Sequence, residues 1–221
     1  MSGLSKFPPA PILCWVTDRR RTRGRKLVDI AQEVVDGGFN MIRIREPDLG
    51  EDALEALIDQ LKDITRGKAI LMSNWRSSDN LWKHSNVGVH FPEAVSPNEL
   101  TSHPNEPDYI TGRSVHSIEV ASAANNDRVN YLTYGTVFPS RTHPGGPTQG
   151  LKNLFSTIAS SVHPILAIGG INPSNLSDVM ATGVYGVSVI GAISEADKPL
   201  EASKLMTDIA NSNSIAGAQW I

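Results

Sequence analysis

The residues best suited to chemistry are glycines, arginines and histidines set close to the ends of short apolar runs. Ala167-Ile168-Gly169-Gly170-Ile171-Asn172-Pro173 places two glycines directly after one such run. Glycine lets a backbone approach a ligand closely and leaves N–H groups free to face an anion. Val189-Ile190-Gly191-Ala192-Ile193 repeats the arrangement further along, so Ile190 and Gly191 can add donors. A short helix starting there would direct its N-terminus at the same anion. Gly169-Gly170 alone equally suits a tight turn; two such turns together favour phosphate. Arg43 and Arg45 alternate, which in a strand puts them on one face. Their forked donors suit phosphate or carboxylate, and an ion pair with Glu46, Asp48 or Asp18 is the plainer role. Ser140, Arg141, Thr142 and His143 offer hydroxyls and cationic groups to an anion, although Arg141 equally reads as a surface residue. Among the 6 histidines, His90 and His116 follow apolar runs and could move a proton near neutrality or be structural. His84, His103 and His163 read as solvated. No His, Asp or Glu spacing suggests zinc, and the lone Cys14 excludes an intrachain disulfide.

The elements that must position these residues alternate along the chain. Strand-like runs fall at 12–16, 40–44, 69–72, 87–89, 109–113, 131–134, 164–168 and 184–189. Helix-like runs fall between them at 25–36, 50–65, 77–84, 97–101, 118–124 and 151–160, with a last one at 199–210. A further helix begins at Asn172-Pro173-Ser174, with Asn172 as N-cap and Pro173 in the first turn, and ends near Gly183. In 50–65, Leu54, Leu57, Ile58, Leu61 and Ile64 recur at amphipathic helix spacing. Eight strand–helix repeats in this length predict an α/β protein with a (β/α)8 TIM barrel. A doubly wound sheet would carry a glycine-rich turn after its first strand, where this chain has Thr17-Asp18-Arg19-Arg20. Residues 1–221 therefore read as one barrel domain with an N-terminal arm, 1–11, and a C-terminal tail, 211–221. The working face of a barrel lies at the C-terminal ends of its strands. That face would collect Arg43, Arg45 with Glu46, Asn74, His90, Ser114 with His116, Gly135-Thr136, Gly169-Gly170 and Ile190-Gly191. Two arginines against apolar helices would be costly, so the mouth of the lumen is their predicted place.

The 221 residues carry 20 Lys+Arg against 23 Asp+Glu, a formal charge of −3, with 40% apolar and 19% charged residues. This composition excludes a disordered chain and gives no general electrostatic attraction to nucleic acid. No apolar run approaches the ~20 residues needed to span a bilayer. The opening MSGLSKFPPAP lacks the apolar core of a secretory signal. A cytoplasmic protein with no nucleic-acid or membrane partner is the expectation, with a homo-oligomer left open.

Several motifs in a fixed order resemble the thiamine phosphate synthase/TenI superfamily from about residue 12 to 210. They are Trp15-Val-Thr-Asp-Arg-Arg20, Ile42-Arg-Ile-Arg-Glu-Pro-Asp48, Ser73-Asn74, Gly88-Val-His90, Gly112-Arg-Ser-Val-His-Ser117, Tyr134-Gly-Thr-Val-Phe-Pro139, Thr142-His-Pro-Gly145, Ala167–Pro173 and Gly186–Ile193. The resemblance implies a barrel and one of two activities. Synthases join hydroxymethylpyrimidine diphosphate to thiazole phosphate with magnesium, releasing pyrophosphate; TenI-like tautomerases move a proton on a thiazole phosphate carboxylate without metal.

This chain departs from the synthase pattern at four places. Pro47 and His143 stand at lysine positions, and Trp75 and Val95 at the two magnesium aspartates. A diphosphate leaving group needs cations to absorb its charge, so these losses favour a metal-independent, TenI-like tautomerase that needs no cofactor. The resemblance implies a phosphorylated thiazole as partner, bound by Arg43, Arg45, Asn74, Ser114, Thr136, Thr142, Gly169, Gly170, Ile190 and Gly191. Thr136 stands where tautomerases carry the proton-moving histidine, which leaves His116, His143 or Glu46 for that role. A synthase with an altered diphosphate site and an inactive ligand-binding barrel are the alternatives.

Overall fold

The structure, a computed structural model, describes residues 7–76, 86–96, 109–141 and 145–213. The helices expected at 77–84 and 97–101, together with Thr142 and His143, lie outside the described residues. Eight parallel strands pair in chain order: β1 (Ile12–Val16), β2 (Met41–Ile44), β3 (Ile70–Asn74), β4 (Val87–Phe91), β5 (Thr111–Val115), β6 (Tyr131–Gly135), β7 (Ile165–Ile168) and β8 (Gly186–Val189). β8 returns to β1 with Ser188 opposite Cys14, which closes a (β/α)8 barrel. The described helices are α1 (Leu27–Asp36), α2 (Glu51–Thr65), α3 (Ile118–Ala123), α4 (Gly150–Ser160), α5 (Leu176–Met180), α6 (Gly191–Ser194) and α7 (Pro199–Asn213). None of them is long and apolar enough to cross a membrane.

Strand alternation divides the buried residues into two sets. Trp15, Ile42, Phe91, Leu132 and Val187 share one apolar cluster with Ile30, Ile58, Leu61 and Met206 of the surrounding helices. Ile12, Cys14, Met41, Met72, Tyr131 and Leu166 form the second cluster, in the lumen. The lumen is filled, and its glycines make the room: a Cβ on Gly112 would stand 2.2 Å from the Tyr131 ring. Phe7 closes the base, stacked on Tyr131 with centroids 5.2 Å apart and tilted against Tyr185 at 5.7 Å. The arm is thus part of the barrel from Phe7 onward.

Other differences from the sequence reading are local. β5 begins two residues later than expected, at Thr111, and β4 continues through His90 to Phe91. α5 begins at Leu176, because Asn172 Oδ1 accepts from the Ser174 N–H at 2.9 Å and closes a separate turn first. His163 is buried, not solvated, with Nε2 3.0 Å from the Ala124 carbonyl.

Candidate functional site

A cavity of about 550 Å³ opens at the C-terminal ends of the strands. Arg43, Arg45, Asn74, Ser114, His116, Thr136, Gly169, Gly170, Ile190 and Gly191 all line it. Glu46 does not. It lies beyond the end of β2, where it is buried and accepts from the Arg19 backbone N–H at 3.1 Å and from Nη1 at 3.1 Å. Arg19 also takes Asp48 at 2.6 Å, so two of the three acids expected to pair with the strand arginines are bound to a different arginine, and the third, Asp18, accepts from the Arg20 backbone N–H at 3.2 Å.

The glycine corner is built by close approach. Gly169 (φ +107°) and Gly170 (φ +65°) occupy backbone conformations that side chains rarely adopt. A Cβ on Gly169 would lie 2.4 Å from Thr136 Cγ2, and one on Gly170 2.5 Å from the Pro139 carbonyl. Beside them α6 starts at Gly191, and the first N–H groups of a helix have no helical acceptor. Arg21 reaches over this start: its Nε donates to Glu195 at 2.6 Å, and its Nη2 lies 2.7 Å from where a Gly191 Cβ would be. Arg141 donates to the other Glu195 oxygen at 3.3 Å. Sequence reasoning missed Arg21 and Glu195. The three arginines of the turn at Arg19–Arg21 give no periodic signal for which one faces the cavity.

On the floor, His90 is buried with both ring nitrogens in contact, Nδ1 with Tyr131 OH at 3.0 Å and Nε2 with Ser114 Oγ at 2.9 Å. Burial, then the Arg43 charge, push its pKa well below the ordinary imidazole value, so it is neutral. His116 sits at the rim. One Glu93 oxygen accepts both its backbone N–H at 2.7 Å and its Nδ1 at 3.0 Å, while Gln149 Nε2 donates to its carbonyl at 2.8 Å. With Nδ1–H donating to a carboxylate, Nε2 keeps its lone pair for a proton.

The residues described do not fit a magnesium site. Trp75 packs on Phe91 with ring centroids 6.2 Å apart, and Val95 is buried in the outer core. The carboxylates lining the cavity are Glu93, held by His116, and Glu195, held by Arg21 and Arg141. They follow β4 and β8, on opposite sides of the barrel. Among the described residues no three His, Cys, Asp or Glu side chains cluster.

Comparison with known proteins agrees with the motif order. The thiamine monophosphate synthase (TMP-TENI) family profile matches residues 13–193. The chain is 33% identical over 197 residues to a thiamine-phosphate synthase of Roseiflexus castenholzii, covering 88% of this chain and 86% of that one. It is 30% identical over 186 residues to a putative thiamine-phosphate synthase 2 of Aquifex aeolicus, covering 84% and 98%. Among solved structures, thiamine phosphate pyrophosphorylase from Pyrococcus furiosus superposes with a TM-score of 0.81 at 29% identity, over 91% of this chain and 96% of that one. A 3-hexulose-6-phosphate synthase from Salmonella typhimurium, TM-score 0.71 at 15% identity over 92% and 100%, shares the fold. Motif order, closed barrel and full-length similarity converge: the chain belongs to the thiamine monophosphate synthase family.

Proposed function

We propose that the protein binds a thiazole phosphate and acts as a thiamine-phosphate synthase. The phosphate lies on the glycine corner, and Arg45 faces a second charged group across the cavity, above the buried Arg43. The observation carrying this reading is the charge of the lining: Arg21, Arg43, Arg45 and Arg141 against Glu93 and Glu195. Two regions of positive charge suit a reaction that holds a phosphate and a diphosphate at once. The thiazole nitrogen forms a bond to the pyrimidine methylene carbon as the C–O bond to pyrophosphate breaks. Fixed arginines stabilise the charge on the departing group. The names of the full-length relatives favour this transfer over the tautomerase preferred from the sequence.

A second reading is thiazole tautomerisation, favoured by one contact: Glu93 fixes the His116 ring and leaves Nε2 at the cavity. One experiment separates the two. The protein is incubated with thiazole phosphate or its carboxylated tautomer, with and without pyrimidine diphosphate and magnesium. Thiamine phosphate supports the synthase. Aromatisation without pyrimidine, abolished in His116→Asn and slowed in Glu93→Gln, supports the tautomerase. Binding with neither product refutes both and leaves a ligand-binding barrel.

A further inference from the structure

The floor of the cavity holds a charge with no counter-charge. Arg43 comes from the middle of β2, is only 4% exposed, and has no hydrogen-bond partner at Nε or Nη1. No carboxylate among the described residues pairs with it. The groups around it are neutral: Cys14, whose thiol burial pushes up to about 11; Tyr131, whose phenol burial also raises; and His90. Burying an ion without a partner is strongly destabilising, and proteins satisfy such ions with an opposite charge. Three more polar atoms of the cavity lining have no partner, Thr133 Oγ1, Ser188 Oγ and Asn74 Oδ1. The Thr133 hydroxyl can donate, and half a turn of the Asn74 amide exchanges its acceptor for a donor. A single guanidinium with neutral neighbours balances one negative charge, which selects against a dianionic phosphate.

We propose that the lumen floor is a binding site for one compact carboxylate, held by Arg43 with Thr133 and Asn74 and separate from the glycine corner. The carboxylate is either a free small acid or part of the molecule that fills the cavity. The proposal does not depend on which reaction follows.

The test uses the full chain and two probes. Formate is titrated while the thermal midpoint is followed, and calorimetry compares thiazole phosphate with its carboxylated form. If the acid is free, formate raises the midpoint logarithmically above its Kd, by roughly 3–5 °C for each tenfold excess, and Arg43→Met abolishes the rise. If the acid comes with the larger ligand, formate is silent and the carboxylated form binds at least about tenfold tighter, a preference lost in Arg43→Met. Thr133→Val lowers either effect severalfold with less risk to folding. Absence of both effects, or their survival in Arg43→Met, overturns the proposal. Binding of plain thiazole phosphate in the same titrations reports separately on the phosphate corner.

Discussion

Replacing Gly191 by alanine probes the phosphate corner with little cost to the fold. The new Cβ would stand 2.7 Å from Arg21 Nη2 and 3.2 Å from its Cζ, the movable end of a long side chain. The guanidinium must swing off the start of α6, although Nε can stay on Glu195. Loss of one charge-assisted donor to phosphate costs about 1.5 kcal/mol, a little over tenfold in Kd. Gly170→Ala is the contrasting variant. Its Cβ would meet the Pro139 carbonyl at 2.5 Å and Phe138 Cβ at 2.7 Å, from a backbone with φ +65°. Left-handed strain of about 1 kcal/mol plus overpacking of about 2 kcal/mol lowers the midpoint by roughly 6–12 °C. Calorimetry with thiazole phosphate and thermal unfolding are run on both proteins. Gly191→Ala should bind about tenfold more weakly with a midpoint within about 2 °C of the parent. Unchanged affinity in a natively stable Gly191→Ala protein would refute the placement of phosphate beside Arg21.

Stability should be level between about pH 6.5 and about pH 8 and fall on acidification below that range. Burial depresses the folded-state pKa of His90 and of His163, so on acidification the unfolded chain takes up protons that the folded chain refuses. Urea midpoints across this range check the slope, and a His90 NMR resonance that titrates like a free imidazole would contradict it. Arg113→Met leaves Asp127, whose side chain is 5% exposed, as a buried charge without its ion-pair partner. A loss of about 3–5 kcal/mol in urea unfolding is expected, with partial recovery in the Arg113→Met/Asp127→Leu double variant.

The outer face of the barrel was legible because its strands and helices follow simple apolar periods. β1 matched residue for residue, since all five of its residues are buried. The lumen face was harder. β5 reads Thr-Gly-Arg-Ser-Val, with Gly112 and Ser114 facing the lumen, so the apolar run placed the strand two residues early. His90 cut β4 short for the same reason: a polar residue inside a closed barrel looks like the end of a strand. Glu46 stands two residues past the end of β2, so strand parity does not fix its direction; Arg19, from the turn after β1, holds it. What no local pattern held was the meeting of Arg21, Arg141 and Glu195, which join through barrel closure across 54 to 174 residues of chain.

Among the described residues, the packed rings of Phe7, Tyr131 and Tyr185 close the base of the barrel, and the cavity opens at the opposite end. Traffic through that opening is last-in, first-out. A molecule reaching down to Arg43 has to arrive before anything that settles over it, and the upper occupant has to depart first.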